Sequence, residues 1–146
     1  MKQILIVNGP NLNLLGTREK AIYGSLTLEE INHKLLRVAE EHALELVFFQ
    51  SNFEGEIIDI IQSAEGKYAG IIINPAAFSH YSYAIADAIA AISVPVIEVH
   101  ISNIYTREQF RHKSVVAPVA VGQITGLGYY SYVAALLFFA EANKTK

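Results

Sequence analysis

Apolar residues recur along the chain in two alternating rhythms. Residues 3–8 (QILIVN) form an unbroken apolar run closed by an asparagine, the pattern of a strand covered on both faces. Residues 27–43 follow a helical period instead. Leu28, Ile31, Leu35, Val38 and Ala39 fall on one stripe, and Thr27 with Glu30 has the spacing of a capping box. The exchange then repeats. Residues 44–50 (LELVFFQ), 69–74 (AGIIIN, stopped by Pro75) and 95–101 (PVIEVHI, opened by a proline) read as strands. Residues 55–65, 82–92 and 129–142 read as helices, 106–110 (TREQF) as a helical turn, and 117–124 (APVAVGQI) as holding a short fifth strand. No internal repeat, low-complexity segment or linker interrupts the series.

This order constrains the topology. Strands joined through helices run parallel, the crossovers are right-handed, and the helices cover both faces of the sheet. Five such strands predict an α/β fold, a flavodoxin-like three-layer α/β/α sandwich with a five-stranded parallel sheet. Residues 1–146 are expected to form one domain. The helices at 82–92 and 129–142 are apolar almost all round. In a chain this small a second buried face suits a neighbouring subunit, so a homo-oligomer is expected. The 52% hydrophobic content and mean hydropathy of +0.30 agree with that expectation.

Charge and composition remove whole classes of function. The net charge of −3 and the scattered lysines and arginines speak against a nucleic-acid partner. The absence of cysteine excludes disulfides, thiolate metal sites and cysteine nucleophiles. The first ten residues turn polar too soon for a signal peptide, and the apolar stretch at 129–142 is too short to span a bilayer. A cytoplasmic protein with no membrane partner is expected. There is no GxGxxG, Walker loop or HExxH, and no lysine lies in an apolar context suited to Schiff-base chemistry.

Ligands of open parallel sheets bind beyond the carboxyl ends of the strands, and here every such end is polar. Strand one ends in Asn8, followed by Asn11 and Asn13; strand two in Gln50, Ser51 and Asn52; strand three in Asn74. Strand four ends in Glu98, His100, Ser102 and Asn103, and strand five near Gln123. Together they predict a crevice of neutral hydrogen-bonding groups, suited to a hydroxylated small molecule. Arg18, Arg107 and Arg111 would add an anion grip, although Arg107 reads equally well as an ordinary surface arginine. Glu98 and His100 are two apart on a strand and share a face, so the carboxylate can orient the imidazole for acid–base work or merely pair with it. His80 follows strand three beside the same crevice and reads either as helix-start packing or as a ligand contact.

The segment between strand one and the first helix, residues 8–24 (NGPNLNLLGTREKAIYG), is 17 residues long where two to six is usual. It carries Arg18 and Tyr23. A phenol ionises near 10, so making it a base near neutrality takes roughly 3–4 kcal/mol. A cation about 4 Å away in an effective dielectric near 20 supplies roughly 4 kcal/mol. A closing lid bearing both residues would therefore yield a usable base, whereas an open one leaves a surface tyrosine packed on an arginine stem.

Four motifs together resemble the type II 3-dehydroquinate dehydratases: GPNLNLLGTRE…YG, INPAAFSHYSYAIADA, PVIEVHISNIYTREQFR and APVAVGQITGLG. The resemblance covers nearly the whole chain, in order and without large insertions. It implies a single catalytic domain that eliminates water anti from 3-dehydroquinate to give 3-dehydroshikimate through an enolate, with no cofactor, metal or Schiff base. By that resemblance Tyr23 is the base, Arg18 its supporting cation, and Asn11 the holder of a water against the enolate oxygen. His100 is the acid, tuned by Glu98. Asn74, His80 and Arg111 hold substrate hydroxyls, and Ile101 with Ser102 takes the carboxylate. Asp87 reaches the site of an adjacent subunit in a dodecamer built of trimers. Three positions depart from the family pattern. Lys20 stands where many relatives have proline, which implies a looser lid. Ala76 replaces a frequent glycine and brings a Cβ close to the ligand, and Ala86 replaces a frequent arginine, which leaves one subunit contact open. A binding module that keeps carboxylate recognition without turnover is the competing reading.

Overall fold

The computed structural model describes residues 1–142. Five strands, β1 (Lys2–Asn8), β2 (Leu44–Gln50), β3 (Gly70–Asn74), β4 (Val96–His100) and β5 (Gly122–Thr125), form one parallel sheet in the order β2-β1-β3-β4-β5. The order reverses direction beside β1, between β1 and β3, which places a crevice above their carboxyl ends. The long helices are α2 (Leu28–Glu41), α3 (Glu54–Gln62), α4 (Tyr83–Ala90) and α5 (Tyr130–Ala142). The expected α/β sandwich is what the chain forms.

Alternation within the strands decides which helices pack where. Ile4, Ile6, Ile72, Ile97 and Val99 face α2 and α5, meeting Ile31, Leu35, Leu136 and Phe139. Leu5, Val7, Ile71, Ile73 and Val96 face α3 and α4, meeting Ile57, Ile61, Ile85 and Ile89. Glu98 and His100 continue the second face beyond Val96, and Asn8 and Asn74 continue the first beyond Ile6 and Ile72. Both strand faces thus exchange hydrocarbon for polar groups at the same end of the sheet.

α2 starts where its cap requires. Thr27 Oγ1 accepts from the Glu30 amide at 3.1 Å, and Glu29 and Glu30 occupy the first turn, where the helix dipole favours negative charge. α5 is apolar on every side, yet it leaves Leu137 and Phe138 in solvent. α4 likewise leaves Tyr83 and Asp87 exposed. Among the described residues no helix is long and apolar enough to cross a membrane.

The connections differ from expectation in three places. The long segment after β1 contains a 3₁₀ turn (Leu12–Leu14) and a one-turn helix, α1 (Lys20–Tyr23), so Tyr23 ends a helix rather than sitting in a loop. The turn expected at 106–110 is two 3₁₀ turns, Ile104–Thr106 and Gln109–His112. Asn103 caps the first, accepting from the Tyr105 amide at 3.1 Å. The backbone is then extended at Arg107, which ends the turn. A further 3₁₀ turn (Ala117–Val119) precedes β5. Gly9 is required where it stands. Its amide donates to the Asn74 carbonyl at 2.8 Å, and a Cβ there would lie 2.6 Å from the Pro75 carbonyl oxygen.

Candidate active site

The crevice above β1, β3 and β4 is a cavity of about 100 Å³. Asn11, Arg18, Tyr23, Asn74, His80 and His100 lie on its wall, and so do Ile101, Ser102, Arg107 and Arg111. No acidic side chain is among its lining residues. The site is therefore cationic, and its neutral part is built from amides, hydroxyls and two imidazoles.

Tyr23 meets two cations. The Arg18 guanidinium lies 4.7 Å and the Arg107 guanidinium 5.0 Å from the centre of its ring. Cations over an aromatic ring are attracted by its quadrupole, so both guanidiniums hold the ring in place. Glu19 ties the two arginines together, at 3.7 Å from Arg18 and 4.0 Å from Arg107. Arg107 is only 10% exposed, its Nη1 donates to Ser102 Oγ at 3.3 Å, and its Nε is buried without a partner. It is a built part of the site, not a surface arginine.

His100 and Glu98 are brought together as their spacing predicts. His100 Nε2 donates to Glu98 Oε2 at 2.5 Å. Glu98 is fully buried, and it also accepts from the Ser79 hydroxyl and, at 2.7 Å, from Ser114 Oγ. Burial pushes its carboxyl up, but the hydrogen bonds from His100, Ser79 and Ser114 outweigh burial and hold it below the usual carboxylate range. Glu98 stays ionised and fixes the imidazole's Nε2–H, which leaves Nδ1 for chemistry. The His80 ring stacks on His100 with centroids 6.2 Å apart, and its Nδ1 donates to the Lys113 carbonyl at 2.8 Å. Burial pulls the His80 imidazole below its ordinary value, with His100 and Arg111 adding to that. It is therefore neutral at pH 7 and presents Nε2 as an acceptor.

The remaining residues fall as follows. Asn11 takes a left-handed backbone, and its amide donates to Asn52 Oδ1 at 3.0 Å. Arg111 pairs with Glu108 at 2.5 Å through Nε. Asn74 is buried, its Oδ1 accepting from the Ala76 amide at 3.1 Å. Ala76 holds a left-handed φ of 52°, a conformation that glycine adopts more easily, so its Cβ stands on the crevice wall at a conformational cost. Asp87 is exposed on α4 and does not line this chain's crevice. Sequence reasoning passed over Ser79, Ser114 and Glu19. Ser79 has a signal in hindsight, its place next to His80 in the 3₁₀ turn Ala76–His80, whereas Ser114, after the turn at Gln109–His112, has none. Glu19 had none beyond adjacency to Arg18.

A buried acid–base pair, a cation-flanked phenol and a cationic crevice at the switch point of a parallel sheet define an α/β enzyme acting on a small anion. The family model described as "Dehydroquinase class II" matches residues 2–140. The 3-dehydroquinate dehydratase of Bacillus licheniformis is 58% identical over 143 residues, covering 98% of this chain and 99% of its own. The crystal structure of type II dehydroquinase from Butyrivibrio crossotus superposes with a TM-score of 0.92 at 48% identity, covering 94% of this chain and 97% of its own. That of type II dehydroquinase from Propionibacterium acnes gives 0.94 at 45% identity, covering 97% of each chain. The chain belongs to the class II dehydroquinase family.

Proposed function

We propose that the chain is a 3-dehydroquinate dehydratase, a hydro-lyase, and that residues 1–146 act as its single catalytic domain. The observation that carries the mechanism is the Tyr23 ring beside the Arg18 and Arg107 guanidiniums in the crevice that also holds His100 backed by Glu98. One elimination needs both a base and an acid, and a site that only bound an anion would need neither.

The reaction runs in two proton transfers. The Tyr23 phenolate takes the proton next to the ketone, and the electron pair moves onto the carbonyl oxygen. A water held by Asn11 donates to that enolate oxygen as its charge grows. The enolate collapses, the C–O bond of the tertiary hydroxyl breaks, and the imidazolium of His100 protonates the departing oxygen, so water leaves and the enone remains. Glu98 stabilises that imidazolium through Nε2, and Nδ1 is the nitrogen free to give the proton. The tyrosine's proton then returns to His100 through solvent, which closes the cycle.

Asn74, His80 and Arg111 hold the substrate hydroxyls, and the backbone and hydroxyl at Ile101 and Ser102 take the carboxylate. No metal or cofactor enters the scheme. The exposed Leu137 and Phe138 on α5 and the exposed Asp87 on α4 support assembly into a dodecamer of trimers, with Asp87 entering a neighbour's crevice. A cytoplasmic location goes with this reading. The test is formation of the conjugated enone from 3-dehydroquinate in the presence of EDTA and after borohydride treatment. Undiminished turnover is expected. Loss of turnover on either treatment overturns the scheme, and a ligand-induced rise in melting temperature without any turnover reduces the protein to a binding module.

A further inference from the structure

Tyr132 lies on α5, is fully buried and does not line the crevice. It donates to Asn8 Oδ1 at 2.6 Å and accepts from Asn74 Nδ2 at 2.9 Å. Asn8 and Asn74 are register partners at the ends of β1 and β3, so one phenol joins the two strand ends that flank the switch point. We propose that Tyr132 is a positioning residue that fixes which edge of the Asn74 amide faces the substrate.

A phenol has one proton to give, and here Asn8 takes it. Towards Asn74 the oxygen can then only accept, so Asn74 must turn Nδ2 to Tyr132. Its Oδ1 is then left to accept from the Ala76 amide at 3.1 Å. Flipping the amide would set two acceptors against each other at Tyr132 and two donors against each other at Ala76. Burial also raises the Tyr132 hydroxyl well above its ordinary range, so the proton stays on it throughout the working pH range. Asn74 therefore offers the crevice the second N–H of Nδ2 in a fixed direction, which selects a hydroxyl or carbonyl oxygen as the atom opposite.

This inference rests on the dehydratase reading given above. Tyr132→Phe keeps the ring and removes only the oxygen. It is expected to raise KM for 3-dehydroquinate about tenfold while kcat changes less than threefold, the loss of one oriented hydrogen bond. Asn8→Ala, which leaves Tyr132 in place but frees its proton, should move KM the same way and serves if the Phe variant does not fold. Adding Tyr132→Phe to Asn74→Ala should cost nothing further. A structural role alone would lower the melting temperature, leave KM and kcat of the folded protein unchanged, and add to Asn74→Ala; that result overturns the inference. Absence of turnover by the unaltered protein overturns the dehydratase reading instead.

Discussion

Two guanidinium groups lie over the Tyr23 ring, and they are not equivalent. Arg18 lies in the same segment as Tyr23 and its side chain is 31% exposed, whereas that of Arg107 is 10% exposed and anchored to Ser102. The buried partner suffers less solvent screening, so it attracts an anion in the crevice more strongly. Arg107→Ala should lower kcat by about 10- to 100-fold, and Arg107→Lys should restore little of it, because lysine keeps the charge but not the planar contact with the ring. Steady-state kinetics on dehydroquinate read both. Glu98 gives a second expectation, in stability rather than rate. Its folded carboxyl titrates below the ordinary value of about 4.5, so its stabilisation is complete above that pH and is lost as pH falls through the lower folded value. Thermal melts between pH 3 and 7 should steepen at the acid end, and Glu98→Gln should flatten that slope. His80 works in the same direction around its ordinary value of 6.5, since its folded imidazole is also depressed. It favours the folded state above that pH and ceases to do so as pH falls through the folded value.

The helices and strands were legible because their periods are clean. The alternating faces of β1 and β3 and the Thr27 cap follow directly from residue spacing. The connections were not, because their shape depends on which backbone groups find partners. Nothing in residues 104–112 announces that Asn103 opens a 3₁₀ turn that ends at Arg107, where the chain is extended before a second turn begins at Gln109. That break is also why Arg107 could not be told from a surface arginine. Ala43 illustrates a different residue-to-element conflict. It follows the α2 C-cap with a left-handed φ of 55°, the position where glycine is preferred. Ala43→Gly should therefore stabilise the protein by about 0.5–1 kcal/mol, read as a melting temperature a few degrees higher. At Gly70 the opposite holds. A Cβ there would run into the Phe139 ring, and Gly70→Ala should cost roughly 1–3 kcal/mol by overpacking the interface between β3 and α5.

At the scale of the whole molecule, the parallel sheet does two jobs with one alternation. Hydrocarbon on both faces holds four helices, and at the carboxyl end the same positions become Asn8, Asn74, Glu98 and His100. Part of the candidate site was legible from that end alone, since Asn11, Asn74, His100 and Ser102 lie on the crevice wall, whereas Asn13, Gln50, Ser51, Asn52, Asn103 and Gln123, expected there too, do not line it. Beyond Ser79, Ser114 and Glu19, one more residue was hidden for a physical reason. Tyr132 read as one more apolar residue of α5, because a hydroxyl's partners 58 and 124 residues away leave no local pattern. Asp87 lies outside this chain's crevice, and its proposed role belongs to a neighbour. Light scattering should give the mass of a dodecamer, and Asp87→Ala should then weaken substrate binding while leaving the Tyr23 region unchanged. A monomer with full activity would contradict both.

The measurement that bears most directly on the central claim is the initial rate of enone formation by the Tyr23→Phe protein beside the unaltered one. Positioned general bases contribute about 10²- to 10⁴-fold, so the account predicts a fall in kcat of that size or more, with binding of 3-dehydroquinate still measurable by calorimetry. A Phe variant that keeps more than about a tenth of the rate would contradict it, because the proton would then be leaving to another group.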